Sequence, residues 1–376
     1  MRVTAPQKEL AAVAQLVARQ LPNNATMPAL MGMRLAAEHG RLTVAGFDGA
    51  TSIRAALEAD VDDDGSASVS ARLLADVLGT LGKNDVTVEA DGREVSVTTA
   101  GSSAALPLLD GESWPTLPTA PAGTGTVDGA ELAAAYKRVK AAVNPKAAGR
   151  FEGMAGVRLM VEGDRLRVTA TDSYRISDVW LPFMDLTPEA KGMAVAPDKV
   201  LASNLGAFEA GPVRLALPAD GNGTVGLVSS AAQVVTGLFA PGTFPHRVDE
   251  VTPTDFTGTA LFDAGDMVDA LRRVSVVCEE GSPIWVRFDR EAGSARLRAA
   301  SLRGTTEATV DCRYDGDQPE FSAAWNGRYL TDGLTPLDGE VRMQVTTAQK
   351  PAVIADPEDD AYRYVVIPIR DPKGPQ

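Results

Sequence analysis

The sequence predicts an α+β fold class in which one unit of two helices and antiparallel strands is repeated three times. A segment that alternates apolar and polar residues around a turn recurs at fixed spacing: sixteen positions separate Gly32 from Asp48, and also Gly156 from Asp172. Apolar residues at helical spacing precede each copy of this segment. A period this long indicates repeated domains. The expected domains cover residues 1–120, 126–250 and 255–376.

The first helix of each unit is predicted from apolar residues three and four positions apart, which lie on one helix face. These stripes cover residues 10–21, 132–143 and 267–274. Polar residues suited to helix N-caps precede them, namely Thr4, Asp128 and Asp263. Each unit therefore begins with an amphipathic helix that can cover a sheet.

A strand hairpin follows each first helix, and a second helix follows the hairpin. The third hairpin is the weakest copy, but Trp285 and Ser301 are again sixteen positions apart. The second helices are marked by a basic residue followed by apolar ones, at Arg72, Lys199 and Arg328. Loop-like segments rich in Pro and Gly, at 114–125 and 244–253, separate the units.

The composition argues against several function classes. Only two histidines occur, His39 and His246, and no hydrolase, metalloprotease or nucleotide-binding motif surrounds them. The Gly-rich segment 221–226 continues into strand residues, which favours a hairpin turn over a dinucleotide site. Two cysteines and no apolar run near ~18 residues argue against a disulfide framework and a membrane span. We expect a soluble cytosolic protein without catalytic residues, metal or cofactor.

Positive charge is concentrated on helices although the chain carries a net charge of −14. Residues 131–150 contain five basic side chains and one acid. A solvated helix end, stabilised by the helix dipole, is one interpretation. A surface for backbone phosphates is the other, because phosphate binding depends on local charge. The candidate DNA contacts are Arg72, Lys137, Arg138, Lys140, Lys146, Arg150, Lys199, Arg272, Arg273 and Arg328.

Two motifs give the chain a family resemblance. Residues 170–176, Ala-Thr-Asp-Ser-Tyr-Arg-Ile, and residues 364–370, Tyr-Val-Val-Ile-Pro-Ile-Arg, are similar to two segments of the bacterial DNA sliding clamp, the beta subunit of the DNA polymerase III holoenzyme. The resemblance extends over essentially the whole chain. It implies a non-enzymatic homodimer that closes head to tail into a ring around duplex DNA, with helices lining the hole.

The resemblance also implies two protein-binding surfaces. A groove between the second and third units would bind short linear peptides from DNA polymerase, the clamp loader and repair proteins. Its residues would be Met154, Thr171, Ser173, Tyr174, Arg175, Ile176, Pro245, Asn326, Tyr329, Val365, Ile367, Pro368, Ile369 and Arg370. At the dimer interface an edge strand near Ala104 and Leu106 would meet Val277 and Cys278. Without the resemblance, Leu106 and Val277 could equally fill their own cores.

Departures from the family pattern leave alternatives open. Asp249 and Glu250 stand where the family commonly has a basic or neutral polar residue and then an apolar one. The chain could therefore be a specialised clamp whose altered groove tolerates a clamp-targeting antibiotic. A remote alternative is an enzyme that uses Asp48 and Asp172, although their equivalent positions after strands suggest turn-capping.

Overall fold

The computed structural model describes residues 1–82, 84–110, 114–187, 191–279 and 281–370. Its α-helices are α1 (Gln7–Gln20), α2 (Ala71–Thr80), α3 (Gly129–Val139), α4 (Asp198–Asn204), α5 (Ala264–Ser275) and α6 (Gly327–Leu334). These helices confirm the predicted pairs. The predicted stripe to residue 143 is too long for α3, because the backbone tightens into a 3₁₀ turn at Lys140–Ala142.

The strands are short and connected mainly by tight turns. The first nine are β1 (Arg2–Pro6), β2 (Gly32–Glu38), β3 (Arg41–Phe47), β4 (Thr51–Glu58), β5 (Asp60–Asp63), β6 (Gly65–Ser70), β7 (Asp85–Ala90), β8 (Glu94–Thr99) and β9 (Ser102–Pro107). The next eight are β10 (Gly125–Asp128), β11 (Gly156–Glu162), β12 (Arg165–Thr171), β13 (Arg175–Pro182), β14 (Met193–Pro197), β15 (Pro212–Ala216), β16 (Thr224–Val228) and β17 (Ala232–Gly237). The last nine are β18 (Gly258–Asp263), β19 (Pro283–Asp289), β20 (Ser294–Ser301), β21 (Gly304–Asp311), β22 (Arg313–Gly316), β23 (Glu320–Asn326), β24 (Glu340–Val345), β25 (Ala352–Ala355) and β26 (Tyr362–Val366).

One order of elements occurs three times along the chain. A strand and a helix lead into four or five strands, a second helix and three further strands, starting at β1, β10 and β18. The chain divides into two compact units, and the predicted three-domain boundaries stay a prediction. The first unit comprises Met1–Ala133, Met160–Asp164 and Phe183–Phe239; the second comprises Ala134–Leu159, Arg165–Pro182 and Ala240–Gln376.

The first unit contains two antiparallel sheets, with strand orders β5-β1-β7-β8-β9 and β10-β15-β16-β17-β4-β3-β2-β6. Helix α1 packs closely on β3, and a Cβ at Gly46 would lie 2.8 Å from Val17. Leu42 and Val44, at alternate positions of β3, are fully buried. The period-2 pattern of the sequence therefore places one face of this sheet under α1 and directs the alternate side chains to the opposite face.

In the second unit, β21-β20-β19-β23 form one sheet and β12-β13-β26-β25-β24-β18-β22 are hydrogen-bonded in sequence in another. Aromatic rings fill its core. Phe288 stacks on Phe262 at 6.2 Å and on Tyr314 at 5.9 Å between ring centroids. Trp325 is 1% exposed at the end of the same cluster. Such ring pairs add about 0.5–1.5 kcal/mol each beyond their buried area.

The helix starts agree with two of the three predicted caps. The side chains of Asp128 and Asp263 accept hydrogen bonds from the N–H groups of Glu131 and Asp266, each at 3.0 Å. The prediction at Thr4 is wrong, because this residue lies within β1 and α1 starts without a side-chain cap. The segment 221–226 runs into β16, which confirms the hairpin turn.

Candidate functional site

A tight turn between β12 and β13 carries the first motif. The carboxylate of Asp172 accepts hydrogen bonds from the backbone N–H groups of Tyr174, at 2.9 Å, and Arg175, at 3.2 Å. Ser173 has a φ of 77°, a left-handed conformation that is uncommon outside glycine. The Thr171 hydroxyl donates to the carbonyl oxygen of Arg175 at 2.7 Å. The turn therefore holds Tyr174 outward, 60% exposed, and Arg175 inward, 5% exposed.

Arg175 is held by acidic and polar groups inside the second unit. Its Nε lies 3.0 Å from Asp172, and its Nη1 lies 2.5 Å from Asp332 and 3.3 Å from the Tyr364 hydroxyl. Its Nη2 donates to the carbonyl oxygen of Ala141. Burial disfavours the charged guanidinium, but Tyr364, Asp332 and Asp172 outweigh burial and raise the pKa of Arg175 above its ordinary value. Arg175 is therefore a fixed cation that ties the turn to α6 and β26.

A pair of tyrosines covers Arg175. The guanidinium carbon lies 4.3 Å from the ring centroid of Tyr329, which belongs to α6. Tyr174 stacks on Tyr329 with centroids 6.2 Å apart and ring planes 28° apart. Burial raises the pKa of the Tyr329 hydroxyl. Asn326 starts α6, where its side-chain oxygen accepts the N–H of Arg328 at 3.0 Å.

The second motif lies beside the first. In the antiparallel pair of β13 and β26, Ile176 is opposite Val365. Just past β26, the N–H of Ile367 donates to the carbonyl oxygen of Tyr174 at 2.9 Å. Ile176 and Val365 are buried, at 5% and 1% exposed, whereas Ile367 is 37% exposed. The two motifs thus form one wall with an apolar side chain at its surface.

The segment beyond Ile367 borders a surface cavity. Pro368 is buried, and the N–H of Ile369 donates to the carbonyl oxygen of Ala324 at 2.7 Å. Ile369 and Arg370 line a cavity of about 560 Å³. Its other walls are formed by Trp285, Ala323, Ala324, Ala348 and Gln349. Of the predicted groove residues at this end of the chain, Ile369 and Arg370 therefore face open space.

Met154 and Pro245 come from two short 3₁₀ segments. Met154 lies in Gly149–Ala155, and its sulfur lies 3.2 Å from the Ser173 hydroxyl. A Cβ at Gly153 would lie 2.7 Å from the backbone nitrogen of Phe244, so this segment passes close to residue 244. The half-buried Pro245 follows directly.

The structure brings most of the predicted groove residues together. Direct contacts or strand pairing join Met154, Thr171, Ser173, Tyr174, Arg175, Ile176, Tyr329, Val365 and Ile367. The remaining residues extend this set along the adjoining chain: Pro245, Asn326, Pro368, Ile369 and Arg370.

The sequence does not predict an ionic network that joins two buried arginines to Asp249, whose side chain is 44% exposed. The Asp249 carboxylate lies 3.0 Å from Arg158 and 2.6 Å from Arg167. Arg167 also binds Asp178 at 2.9 Å, and Asp178 binds Arg363 at the same distance. Burial opposes ionisation, but Arg158 and Arg167 outweigh it and hold the pKa of Asp249 below its ordinary value. Glu250, in contrast, pairs on the surface with Arg247 at 3.1 Å.

Both ends of the chain match domain models of one family. Residues 1–118 match the N-terminal domain of the DNA polymerase III beta subunit, and residues 249–370 match its C-terminal domain. The beta sliding clamp of Streptomyces coelicolor is 32% identical over 98% of this chain and 99% of its own length. The chain belongs to the beta sliding clamp family.

Further comparisons agree with this family and fold. The beta sliding clamp homolog GriR of Streptomyces muensis is 30% identical, over 98% of this chain and 99% of its own length. A sliding clamp from Pseudomonas aeruginosa, solved bound to griselimycin, has a TM-score of 0.90 at 22% identity and covers 99% of this chain and 100% of its own. The clamp of Bacillus subtilis has a TM-score of 0.88 at 21% identity, covering 99% of both chains. The predicted α+β clamp fold is confirmed.

The beta sliding clamp is a non-catalytic processivity factor of DNA replication, so the enzyme alternative is wrong. The carboxylates that suggested it stabilise turns. Asp48 accepts the N–H groups of Ala50 and Thr51 at 2.9 and 2.6 Å, as Asp172 does in its own turn. In the described ranges, no cluster of three or more His, Cys, Asp or Glu is placed to hold a metal, and no helix has the length and apolarity to span a membrane.

The candidate DNA contacts of the clamp lie on helices or beside them. Side chains exposed to solvent are Arg72, Lys137, Lys140, Lys146, Arg150, Lys199, Arg272, Arg273 and Arg328. Ion pairs join Arg72 to Asp76, Arg272 to Asp269 and Arg328 to Asp332. Arg138 is half-buried, and its guanidinium lies 5.8 Å from the ring centroid of Tyr362. Contact with DNA stays a prediction for all ten.

The candidate dimer residues belong to different units. In the first unit, β9 is an edge strand, with Ala104 half-buried and Leu106 3% exposed. In the second unit, Val277 and Cys278 are half-buried after α5, and the Ser301 hydroxyl donates to the carbonyl oxygen of Val277 at 2.6 Å. Burial raises the pKa of the Cys278 thiol. The burial of Leu106 agrees with a core role in this chain alone, and its role in a dimer stays a prediction.

Proposed function

We propose that this beta sliding clamp closes as a head-to-tail homodimer into a ring around duplex DNA. Short peptide segments of DNA polymerase, the clamp loader and repair proteins bind the groove formed by its two motifs. The observation that carries this proposal is the junction of the motifs, where Ile176 faces Val365 and the backbone of Ile367 binds that of Tyr174. In this ring each chain contributes three domains, at residues 1–120, 126–250 and 255–376.

Two edge strands support ring closure. Strand β9 ends one sheet of the first unit, and β21 ends the four-stranded sheet of the second unit. An exposed edge offers unpaired backbone groups and is usually covered in a native assembly. Near β21, Val276 is 73% exposed and Leu302 is fully exposed. Pairing unlike edges from two copies is a heterologous contact, which closes a ring when the rotation permits.

The groove has the chemistry of a peptide site. Exposed Ile367 and half-buried Ile369 accept an apolar anchor, while Met154 and Ile176 form the buried wall behind them. Tyr174, stacked on Tyr329, presents a hydroxyl at the rim. Arg175 stabilises this geometry but does not offer its donors to a peptide, because they bind Asp172, Asp332 and the carbonyl oxygen of Ala141. A short segment with one or two apolar anchors fits this arrangement.

Retention on DNA tests the ring. Sliding requires weak, sequence-independent phosphate contacts, so topology must hold the protein in place. After loading with a clamp loader, we expect the protein to remain on nicked circular DNA and to leave linear DNA that has free ends. Blocking both ends of the linear duplex should restore retention and is the matched control. Equal retention on open linear and circular DNA would contradict a topological link.

A specialised clamp is the second candidate function. The specific observation is the acidic segment beside Pro245: Asp249 binds Arg158 and Arg167, and Glu250 is an exposed carboxylate that pairs on the surface with Arg247. The 30% identical GriR homolog and the Pseudomonas clamp bound to griselimycin motivate the test. We expect griselimycin to bind this chain at least about tenfold more weakly than the Pseudomonas clamp.

The charge of Glu250 is the variable in that test. The variant Glu250→Val should recover affinity for griselimycin, since it removes an acid from the rim. Glu358→Val, at another exposed acid of the same unit, is the matched control and should change nothing. Wild-type affinity equal to that of the Pseudomonas clamp would remove the specialised function and leave the general one intact.

A further inference from the structure

The sheet face of the first unit that lies opposite α1 carries a cleft outside the proposed peptide groove. Strands β2, β3 and β4 form its floor, and the segment of residues 114–117 forms a wall. Its volume is about 610 Å³. It lies on the face opposite α1, because the alternate side chains that face the helix, Leu35, Val44 and Ile53, are fully buried. We name it the arginine cleft, lined by Arg34, Ala36, Glu38, Thr43, Ala45, Arg54 and residues 114–117.

Two arginines flank a floor of small side chains. Strand register places Arg34 opposite Ala45, and Ala45 opposite Arg54. Neighbouring strands are about 4.8 Å apart, so the two arginine backbones are separated by about 10 Å. The Nη2 group of Arg34 donates a hydrogen bond to the Ser66 hydroxyl at 2.9 Å. Within the described part of the chain, the half-buried Arg54 side chain makes no hydrogen bond, ion pair or ring contact.

In the second repeat, the arginine at the equivalent position is paired with a carboxylate of the same chain. The positions 124 residues later are Arg158, Thr169 and Asp178. There the arginine pairs with Asp249, a carboxylate from the segment after the last strands of that repeat, and an acid stands in place of Arg54. In the first repeat the corresponding segment instead supplies Trp114, Pro115, Thr116 and Leu117 to the cleft. Among the described residues of the first repeat, no carboxylate forms an ion pair with Arg34 or Arg54.

We propose that the arginine cleft binds an acidic peptide segment of a partner protein. A glutamate or aspartate carboxylate lies between Arg34 and Arg54, and a neighbouring apolar residue packs on Trp114 and Leu117. Guanidinium groups bind carboxylates through paired, charge-assisted hydrogen bonds, and the volume suits a side chain with its flanking backbone. The exposed Glu38 at the rim disfavours a continuous polyanion such as nucleic acid. This site goes beyond the peptide groove, which belongs to the second unit.

Fluorescence anisotropy of the full-length protein tests the proposal. The probe is a short fluorescein-labelled peptide of alternating glutamate and leucine, and the comparison ligands are the matching lysine–leucine peptide and single-stranded oligothymidylate. The double variant Arg34→Gln/Arg54→Gln should weaken binding of the acidic peptide at least about tenfold, since both charged partners are lost. Arg93→Gln removes an exposed arginine of the same unit outside the cleft and should change affinity less than about twofold.

A second variant separates shape from charge. Ala45→Leu fills the floor of the cleft but keeps both arginines, and it should also weaken binding of the acidic peptide. Thermal unfolding monitors folding, and the arginine variants should not lower the midpoint because they remove like charges from one surface. The groove variant Ile367→Ala/Ile369→Ala should leave acidic-peptide binding unchanged, which keeps this proposal distinct from the groove. Undiminished binding in the double arginine variant, or oligothymidylate binding as tight as the acidic peptide, would overturn it.

Discussion

The Asp249 carboxylate accepts a 2.6 Å hydrogen bond from Nη1 of Arg167, whose side chain is 6% exposed. The same guanidinium binds the fully buried Asp178 through Nε and Nη2. The 3₁₀ turn His246–Asp249 is thereby attached to β12 and β13. An acid that looks in sequence like a change at a groove rim thus also binds two buried arginines, although its own side chain is 44% exposed. Its neighbour Glu250 is more exposed and pairs with Arg247.

Replacing Asp249 by Asn should destabilise the second unit by up to about 1 kcal/mol near neutral pH, because Arg158 and Arg167 lose a charged partner whose exposure to solvent screens the interaction. The folded-state pKa of Asp249 is lowered, so its contribution is complete above its unfolded value of about 4 and is lost as pH falls through the folded pKa. Thermal midpoints of wild type and variant should therefore converge in acid. Asp255→Asn, at an exposed site of the same unit, is the control. A constant difference down to low pH would show that the charge is not the cause.

Replacing Ile367 and Ile369 by Ala should weaken binding of a clamp-binding peptide by about tenfold or more. The two side chains supply apolar area at the surface of the groove, and removing each costs roughly 1–3 kcal/mol when a ligand covers it. Titration of a labelled peptide measures this effect. Leu302→Ala removes a fully exposed apolar side chain elsewhere in the same unit and should not affect binding of the peptide. Loss of the dimer in the isoleucine variant would mean that these residues had been assigned to the wrong surface.

Replacing Val277 by Glu should shift the protein from twice the chain mass to the chain mass in solution. The substitution places a charge beside the exposed Val276 and Leu302, where a partner edge strand would bury it without a counter-ion. Light scattering after gel filtration measures the mass. Met27→Glu introduces the same charge at a side chain of the first unit that is 52% exposed and should leave the mass unchanged. A variant that remains dimeric would place the interface elsewhere.

The sequence predicts the fold well because the helices and hairpins depend on local patterns. Period-2 and helical spacings locate α1, α5 and the hairpin of β2 and β3 within a few residues. The prediction at Thr4 failed because strand pairing, a distant interaction with Thr87, determines its conformation. Helix α3 ends earlier than predicted because its last turn tightens into a 3₁₀ turn, and no residue type in this segment predicts that change.

In the candidate site too, contacts between residues close in sequence are predictable and contacts between distant residues are not. The turn containing Asp172 and Arg175 is predictable because its hydrogen bonds join residues two or three positions apart. The pair of Arg158 and Asp249 joins residues 91 positions apart. Nothing in the local sequence distinguishes such an arginine from a solvated one. Its burial becomes visible only when the start of β11 and the segment after residue 245 are placed in one unit.

The basic residues of the second repeat should differ in their effect on DNA binding. Lys140 is exposed, so Lys140→Gln should lower the slope of log affinity against log salt concentration by up to about 0.9, the value for one lost phosphate contact. Arg138 is half-buried over Tyr362, so Arg138→Gln should mainly lower the thermal midpoint. Lys350→Gln, exposed in the β24–β25 connection, controls for net charge. Titration of a labelled duplex across salt concentrations measures the slopes. Equal slopes for Lys140→Gln and Lys350→Gln would remove Lys140 from the DNA surface, since a change in net charge alone would then account for both.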